Sequence, residues 1–280
     1  MNRFDALLEK IVAFANHDER VTAVIMIGSQ ARPSKAADEY SDIDLIWVTS
    51  DTNCFIHSND WLSAIGTHHI AFTEKTIAGA DEKRVMFEDA LDVDFIIVSS
   101  ADMASVLADG AALSILQSGY RILVDKVGIQ AAIPSPIPST PYVFPSEDTY
   151  ANVVHDFWYH AIWTTKKLLR GELWAAKFCL DGYMKHKLLW MVECYEHAHH
   201  GTACNTWYNG RFIDTWAEDG IMAQLATTFA HYDRQDMALA LKKTMALFRH
   251  LASRAAKKAG YTYPLEADEY AARWVNGKLD

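Results

Sequence analysis

"MIGSQARPSKAADEYSDIDLIW" occupies residues 26–47, and its reading decides the fold of the first half of the chain. An apolar run ends in Gly28–Ser29, twelve loosely polar residues follow, and a second apolar run carries Asp42 and Asp44 one residue apart. Apolar runs rich in β-branched residues and bounded by turn residues read as strands. "VTAVIMIG" (21–28) and "SDIDLIWVTS" (41–50) are therefore two strands joined by a loop. Residues two apart on a strand share a face. Asp42 and Asp44 thus point together, while Ile43 and Leu45 face the core. Adjacent carboxylates repel unless a cation neutralises them, and all-oxygen donors suit a hard divalent ion, magnesium above all. Gly28 has no side chain to keep a phosphate off the backbone, and Ser29 adds a hydroxyl and an amide at the same spot.

A lone Asp-x-Asp on an edge strand is more simply a solvated pair. Here it follows a Gly-Ser turn, and a second acidic strand, "LDVDF" (91–95), brings Asp92 and Asp94 about fifty residues later. Together these features point to nucleotide chemistry at a two-metal site, in which two ions hold the attacking and leaving oxygens of an in-line displacement. The expected metal ligands are Asp42, Asp44 and either Asp92 or Asp94. Neither G-x-x-x-x-G-K nor G-x-G-x-x-G is present, so the phosphate site is not of those kinds.

Working outward, residues 2–17 show apolar positions at helical spacing. "IAFTEK" (70–75), "RVMFED" (84–89) and "LDVDFIIVSS" (91–100) complete five expected strands, giving an α/β unit with a mixed sheet flanked by helices. "AAIPSPIPSTPYVFPSED" (131–148) then holds five of the seven prolines, which excludes helix and central strand alike. Beyond it the pattern is helical, and Ser146 is the expected cap of the first helix. Long helices are expected over 149–171, 172–199, 220–232 and 233–260, the last closed by Gly260, in a bundle of four or five. The expected division is 1–133 for the α/β domain, 134–146 for a stiff linker and 147–280 for an all-α bundle.

The chain has 280 residues, half of them apolar, and a formal net charge of −10. That balance excludes a general nucleic-acid binder, which needs a basic face. No apolar run approaches the length of a membrane span, and the start shows no secretion signal, so a cytoplasmic protein is expected. The four cysteines lack C-x-x-C spacing, and Cys194 with His197, His199 and His200 reads as a helix end, not a zinc site.

The Gly-Ser, loop, Asp-x-Asp and later acidic strand resemble the DNA polymerase β type of nucleotidyltransferase. The second half narrows this. "FWYHAIWTTKKLLRGELWAAKFCLD" (157–181), "LLWMVECY" (188–195) and "LFRHLASRAAKKAGYTYPLEAD" (247–268) are similar to the aminoglycoside 6-adenylyltransferase family, over nearly the whole chain. The resemblance implies transfer of AMP from ATP to a hydroxyl of an aminoglycoside, the 6-position of streptomycin, with two Mg2+ ions, release of pyrophosphate and a site in the cleft between the domains. It implies an enzyme acting on a small cationic acceptor, with no nucleic-acid or membrane partner; a monomer is expected, with a dimer as the alternative. Gly28, Ser29, Arg32, Lys166 and Arg211 would contact the nucleotide, with Lys35 a further neighbour of the triphosphate. Asp42, Asp44 and Asp92 would be catalytic and bind metal. Asp92 falls on the family's third carboxylate position and Asp94 where an uncharged residue is expected, so Asp94 is read, with Lys177 and Asp181, as an acceptor contact. Lys166, Arg170, Glu172, Lys177 and Asp181 all lie in the helical stretch that carries the likeness. Retained chemistry on another antibiotic or a metabolite, and a non-catalytic nucleotide-binding module, are the competing readings.

Overall fold

A computed structural model describes residues 3–33, 37–76, 79–137 and 142–279. The chain divides into two compact units, Met1–Thr140 and Pro141–Asp280. Lys35 and, within the expected linker, residues 138–141 lie outside the described residues.

The first unit opens with helix α1 (Arg3–His17) and strand β1 (Val21–Ile27), followed by β2 (Ile43–Thr49) and the short helices α2 (Thr52–His57) and α3 (Leu62–Ile65). Strands β3 (His68–Lys75), β4 (Asp81–Phe87) and β5 (Asp92–Ser99) come next, then α4 (Met103–Ala108), α5 (Gly110–Gln117), β6 (Arg121–Asp125) and α6 (Ile129–Ala132). The six strands form one mixed sheet in the order β3-β4-β5-β2-β1-β6. Among the described strands only β2 and β5 run parallel; every other pair is antiparallel. Five strands match the sequence expectation in place. The sixth, β6, is a five-residue edge strand whose burial pattern gives no clean alternation, which is why it is invisible to periodicity.

Alternation sends the two faces of the sheet into different cores. Met26, Ile43, Leu45, Trp47, Val93 and Phe95 pack with Phe4, Leu7 and Ile11 of α1 and Phe55 of α2. Trp47 is the hub: its ring lies 5.3 Å from Phe95, 5.6 Å from Phe55 and 5.6 Å from Trp61. On the opposite face Ile25, Ile46, Val48 and Val98 pack with Met103, Leu107, Leu116 and Ile129 of the later helices. Asp125 closes this end by accepting the backbone N–H groups of Val127, Gly128, Ile129 and Gln130.

The second unit is all helical: α7 (Glu147–Leu169), α8 (Leu173–Phe178), a π-helical turn (Cys179–Tyr183), α9 (Met184–His200), α10 (Ile213–Trp216), α11 (Asp219–Leu225), α12 (Arg234–Ala259) and α13 (Leu265–Leu279). Ser146 caps α7 by accepting the Thr149 N–H, and Gly260 ends α12 with a left-handed φ of 76°. The stretch expected as one helix over 172–199 is helical from Leu173 onward and carries the π turn inside it, a feature that side-chain periodicity does not report. Phe157 and Phe248 stack at 3.6 Å in a core that also holds Trp158, Leu188 and Leu251. Asp268, fully buried, accepts from Arg249 Nε at 2.7 Å and from the Tyr263 hydroxyl at 2.7 Å, and Trp158 Nε1 donates to that hydroxyl. Among the described residues no helix is long and apolar enough to cross a membrane.

Trp47→Ala removes the hub of the first core. The expected cost is about 3–5 kcal/mol, measured as a fall in the urea midpoint followed by circular dichroism.

Candidate active site

The site begins with strand register. In the parallel pair, Ile43 lies opposite Val93 and Asp44 opposite Asp94. Arg84 of β4 is opposite Asp94 on its other side, Phe72 of β3 is opposite Arg84, and Ile27 of β1 is opposite Asp44. One row across five strands thus reads Phe72, Arg84, Asp94, Asp44, Ile27. Asp42 immediately precedes β2 on the same face by alternation. One oxygen from each of Asp42, Asp44 and Asp94 lies within 4.8 Å of the others. Among the described residues this is the one such group of carboxylate, histidine or cysteine side chains.

The gathered trio therefore contains Asp94, not the Asp92 expected from the sequence. Asp94 is directly across from Asp44, whereas Asp92 lies two residues nearer the start of β5. Asp92 stays on the same face. Burial, with repulsion from Asp42 and Asp94, holds its carboxyl above the ordinary range. Asp94 is only 3% exposed, while Asp42 and Asp44 are half-buried.

The Gly-Ser turn meets this cluster. Gly28 has a left-handed φ of 69°, and a Cβ built on it would stand 1.9 Å from Asp44 Oδ2. The Asp44 carboxylate thus fills the space a side chain at position 28 would need. Ser29 follows in a 3-10 turn with Gly28 and Gln30 and is buried. Its Oγ, like Gln30 Nε2, finds no hydrogen-bond partner among the described residues. Buried polar atoms are normally satisfied, so a buried hydroxyl and amide left open beside three carboxylates suit an anionic ligand accompanied by a cation. The all-oxygen donor set fits a hard divalent ion. Arg32 leaves the same turn, its backbone N–H bonded to the Gly28 carbonyl.

Charged neighbours from β3 and β4 complete the face, and sequence reasoning missed them. Arg84 donates from Nε to Asp94 Oδ1 at 2.9 Å and from Nη2 to Asp94 Oδ2 at 2.5 Å. Its Nη1 reaches Glu74 Oε1 at 3.1 Å. Glu82 shares the face, and burial together with Asp94 raises its carboxyl above the ordinary range. The alternation of "DEKRVMF" (81–87) was available as a signal, but only pairing with β5 turns Arg84 toward Asp94.

The remaining candidates belong to the second unit. Lys166 lies 5.9 Å from the Trp274 ring, and Arg170 pairs with Glu172 at the helix end. Arg211 is exposed. Lys177 and Asp181 form the ion pair their spacing suggests, and Asp181, in the π turn, also faces Lys185 at 3.5 Å. Lys177 and Asp181 further bind the carbonyl and the N–H of Ala230. Trp158 is buried core, and Trp163, Trp190 and Trp216 pack against it, whereas Tyr159 and Trp174 are exposed. Cys194 is buried beside the Tyr142 hydroxyl.

Two outcomes follow. Gly28→Ala should cost about 1–2 kcal/mol from its backbone alone. By displacing Asp44 it should also weaken Mn2+ binding on the order of 10-fold, read by urea unfolding and by titration of free Mn2+. Burial lowers the Lys185 ammonium to about 8, with Asp181 opposing. An unfolded lysine titrates near ~10.4, so between pH 8 and 10 the unfolded state holds more protons and stability rises with pH. Lys185→Met should remove that rise, seen as a flatter dependence of the urea midpoint on pH than in the parent.

Known proteins resemble this chain over nearly its whole length. Aminoglycoside 6-adenylyltransferase of Staphylococcus aureus is 22% identical over 268 residues, covering 92% of each chain. The protein of the same name from Bacillus subtilis is 20% identical over 279 residues, covering 97% of this chain and 96% of its own. A crystal structure of an aminoglycoside 6-adenyltransferase from Bacillus subtilis superposes with a TM-score of 0.47 at 19% identity, covering 97% of both chains. The sequence model of the streptomycin adenylyltransferase family matches residues 1–277. With that match over nearly its full length, this chain belongs to the streptomycin adenylyltransferase family.

Proposed function

We propose that this enzyme transfers AMP from ATP to a hydroxyl of an aminoglycoside, the 6-position of streptomycin, and releases pyrophosphate. The observation that carries the reading is the convergence of Asp42, Asp44 and Asp94 beside the open Ser29 hydroxyl. Family membership and the names of the full-length relatives support it.

The chemistry asks for three things. The triphosphate needs donors: we assign the Ser29 hydroxyl and the amides of the Gly28 turn to it, with Arg32 at the turn's exit. Asp42, Asp44 and Asp94 would hold Mg2+, which when bound supplies the positive charge that offsets the triphosphate. The acceptor oxygen forms its bond to the α-phosphorus as the bond to the leaving pyrophosphate breaks, and the hydroxyl proton must go to a base. We assign that proton to Asp92, which flanks the trio and whose raised affinity for protons suits the role. Glu74 and Glu82 make the neighbouring face acidic, in keeping with a cationic acceptor. An enzyme that draws on ATP suits the cytoplasm, and that is the location we infer.

The test is purified protein with ATP, Mg2+ and a panel of aminoglycosides, following pyrophosphate release and a mass gain of one AMP on the acceptor. Streptomycin should be modified, and Asp44→Asn should reduce the rate roughly a thousandfold with an unchanged circular dichroism spectrum. Turnover confined to another acceptor would overturn the substrate, and no turnover with any acceptor would overturn the reaction.

A further inference from the structure

The side chain of Arg84 reaches across two strand gaps to do one thing. Its fork takes both oxygens of Asp94, and its third nitrogen takes Glu74. Bidentate pairing of this kind is the strong form of the carboxylate–guanidinium bond, fixing orientation as well as charge. Asp94 is almost wholly buried and stands directly between Arg84 and Asp44 in the sheet. On this face Asp42, Asp44, Asp92, Asp94, Glu74 and Glu82 gather carboxylates from four strands or their edges. The Arg84 guanidinium lies among them and is directed at the most buried member of the trio.

Resting on the reading of Asp42, Asp44 and Asp94 as a cation site, we propose that Arg84 is the resident counter-charge of that site, a positioning residue that a divalent ion must compete with for Asp94. Three consequences follow from simple electrostatics. The free protein can keep its carboxylates together because a positive charge already sits beside the buried one. A divalent ion arriving alone meets one ligand already committed and one positive charge a few ångströms away, so its affinity for the free protein is held down. Full engagement of Asp94 is thereby favoured when the ion arrives with an anionic partner that offsets Arg84, as it would on a nucleotide triphosphate.

The test uses the full chain and Mn2+ alone, without nucleotide, reading free Mn2+ by electron paramagnetic resonance. Arg84→Gln should bind Mn2+ about tenfold more tightly than the parent, against the usual expectation for loss of a supporting residue. The gain should vanish in the Arg84→Gln/Asp94→Asn double variant compared with Asp94→Asn alone. Arg84→Lys, which keeps the charge and loses the fork, should lie between parent and Arg84→Gln and guards against a simple folding defect. Without metal, Arg84→Gln should melt below the parent, and added Mn2+ should raise its melting temperature by more than it raises the parent's. Equal or weaker Mn2+ binding by both Arg84 variants, with Asp44→Asn still abolishing binding, would overturn the proposal and leave the site intact. Mn2+ binding that survives Asp44→Asn unchanged would overturn the site itself.

Discussion

The parallel pairing of β2 with β5 is the constraint on which the rest of the site depends. These strands are far apart in sequence and adjacent in the sheet, and their register places Asp44 against Asp94. Carboxylates so placed repel one another. The other face of the same two strands supplies the offset: Ile43, Leu45, Trp47, Val93 and Phe95 are all buried against α1, α2 and their neighbours. A slip of one residue would move those apolar side chains to the face that carries the carboxylates and the aspartates into the core. The apolar face thus fixes where the charges sit.

This division of labour explains what was legible in the sequence. Alternation around Asp42 and Asp44 was readable because Ile43 and Leu45 are unambiguous core residues, and the Gly-Ser turn announced itself at the end of an apolar run. The choice between Asp92 and Asp94 was not readable, since both lie on one face of one strand and pairing register is a tertiary property. Arg84 was hidden for the same reason: "RVMFED" is plainly a strand, but nothing local says which residue of β5 it opposes. Strand β6 went unseen because a short edge strand carries too little pattern, and the π turn because it alters backbone hydrogen bonding without altering composition.

The helical unit achieves its order by different means. Its large apolar core is pinned by a few polar groups that have no alternative partners once buried. Asp268 binds Arg249 and Tyr263, and Trp158 closes the chain of donors, tying α7, α12 and α13 together. Asp181 sits where the π turn lets one carboxylate face Lys177, Lys185 and the Ala230 amide. Removing one partner from such a buried network costs far more than the intact network contributes, because it strands a charge or a donor away from water.

The contact between position 28 and Asp44 also limits how this sequence can drift. Even a methyl group at position 28 would occupy the volume of the carboxylate, so the two residues form a single steric unit divided between the turn after β1 and strand β2. A neutral route to any other residue at position 28 must first pass through a change at Asp44, and a change at Asp44 dismantles the cluster.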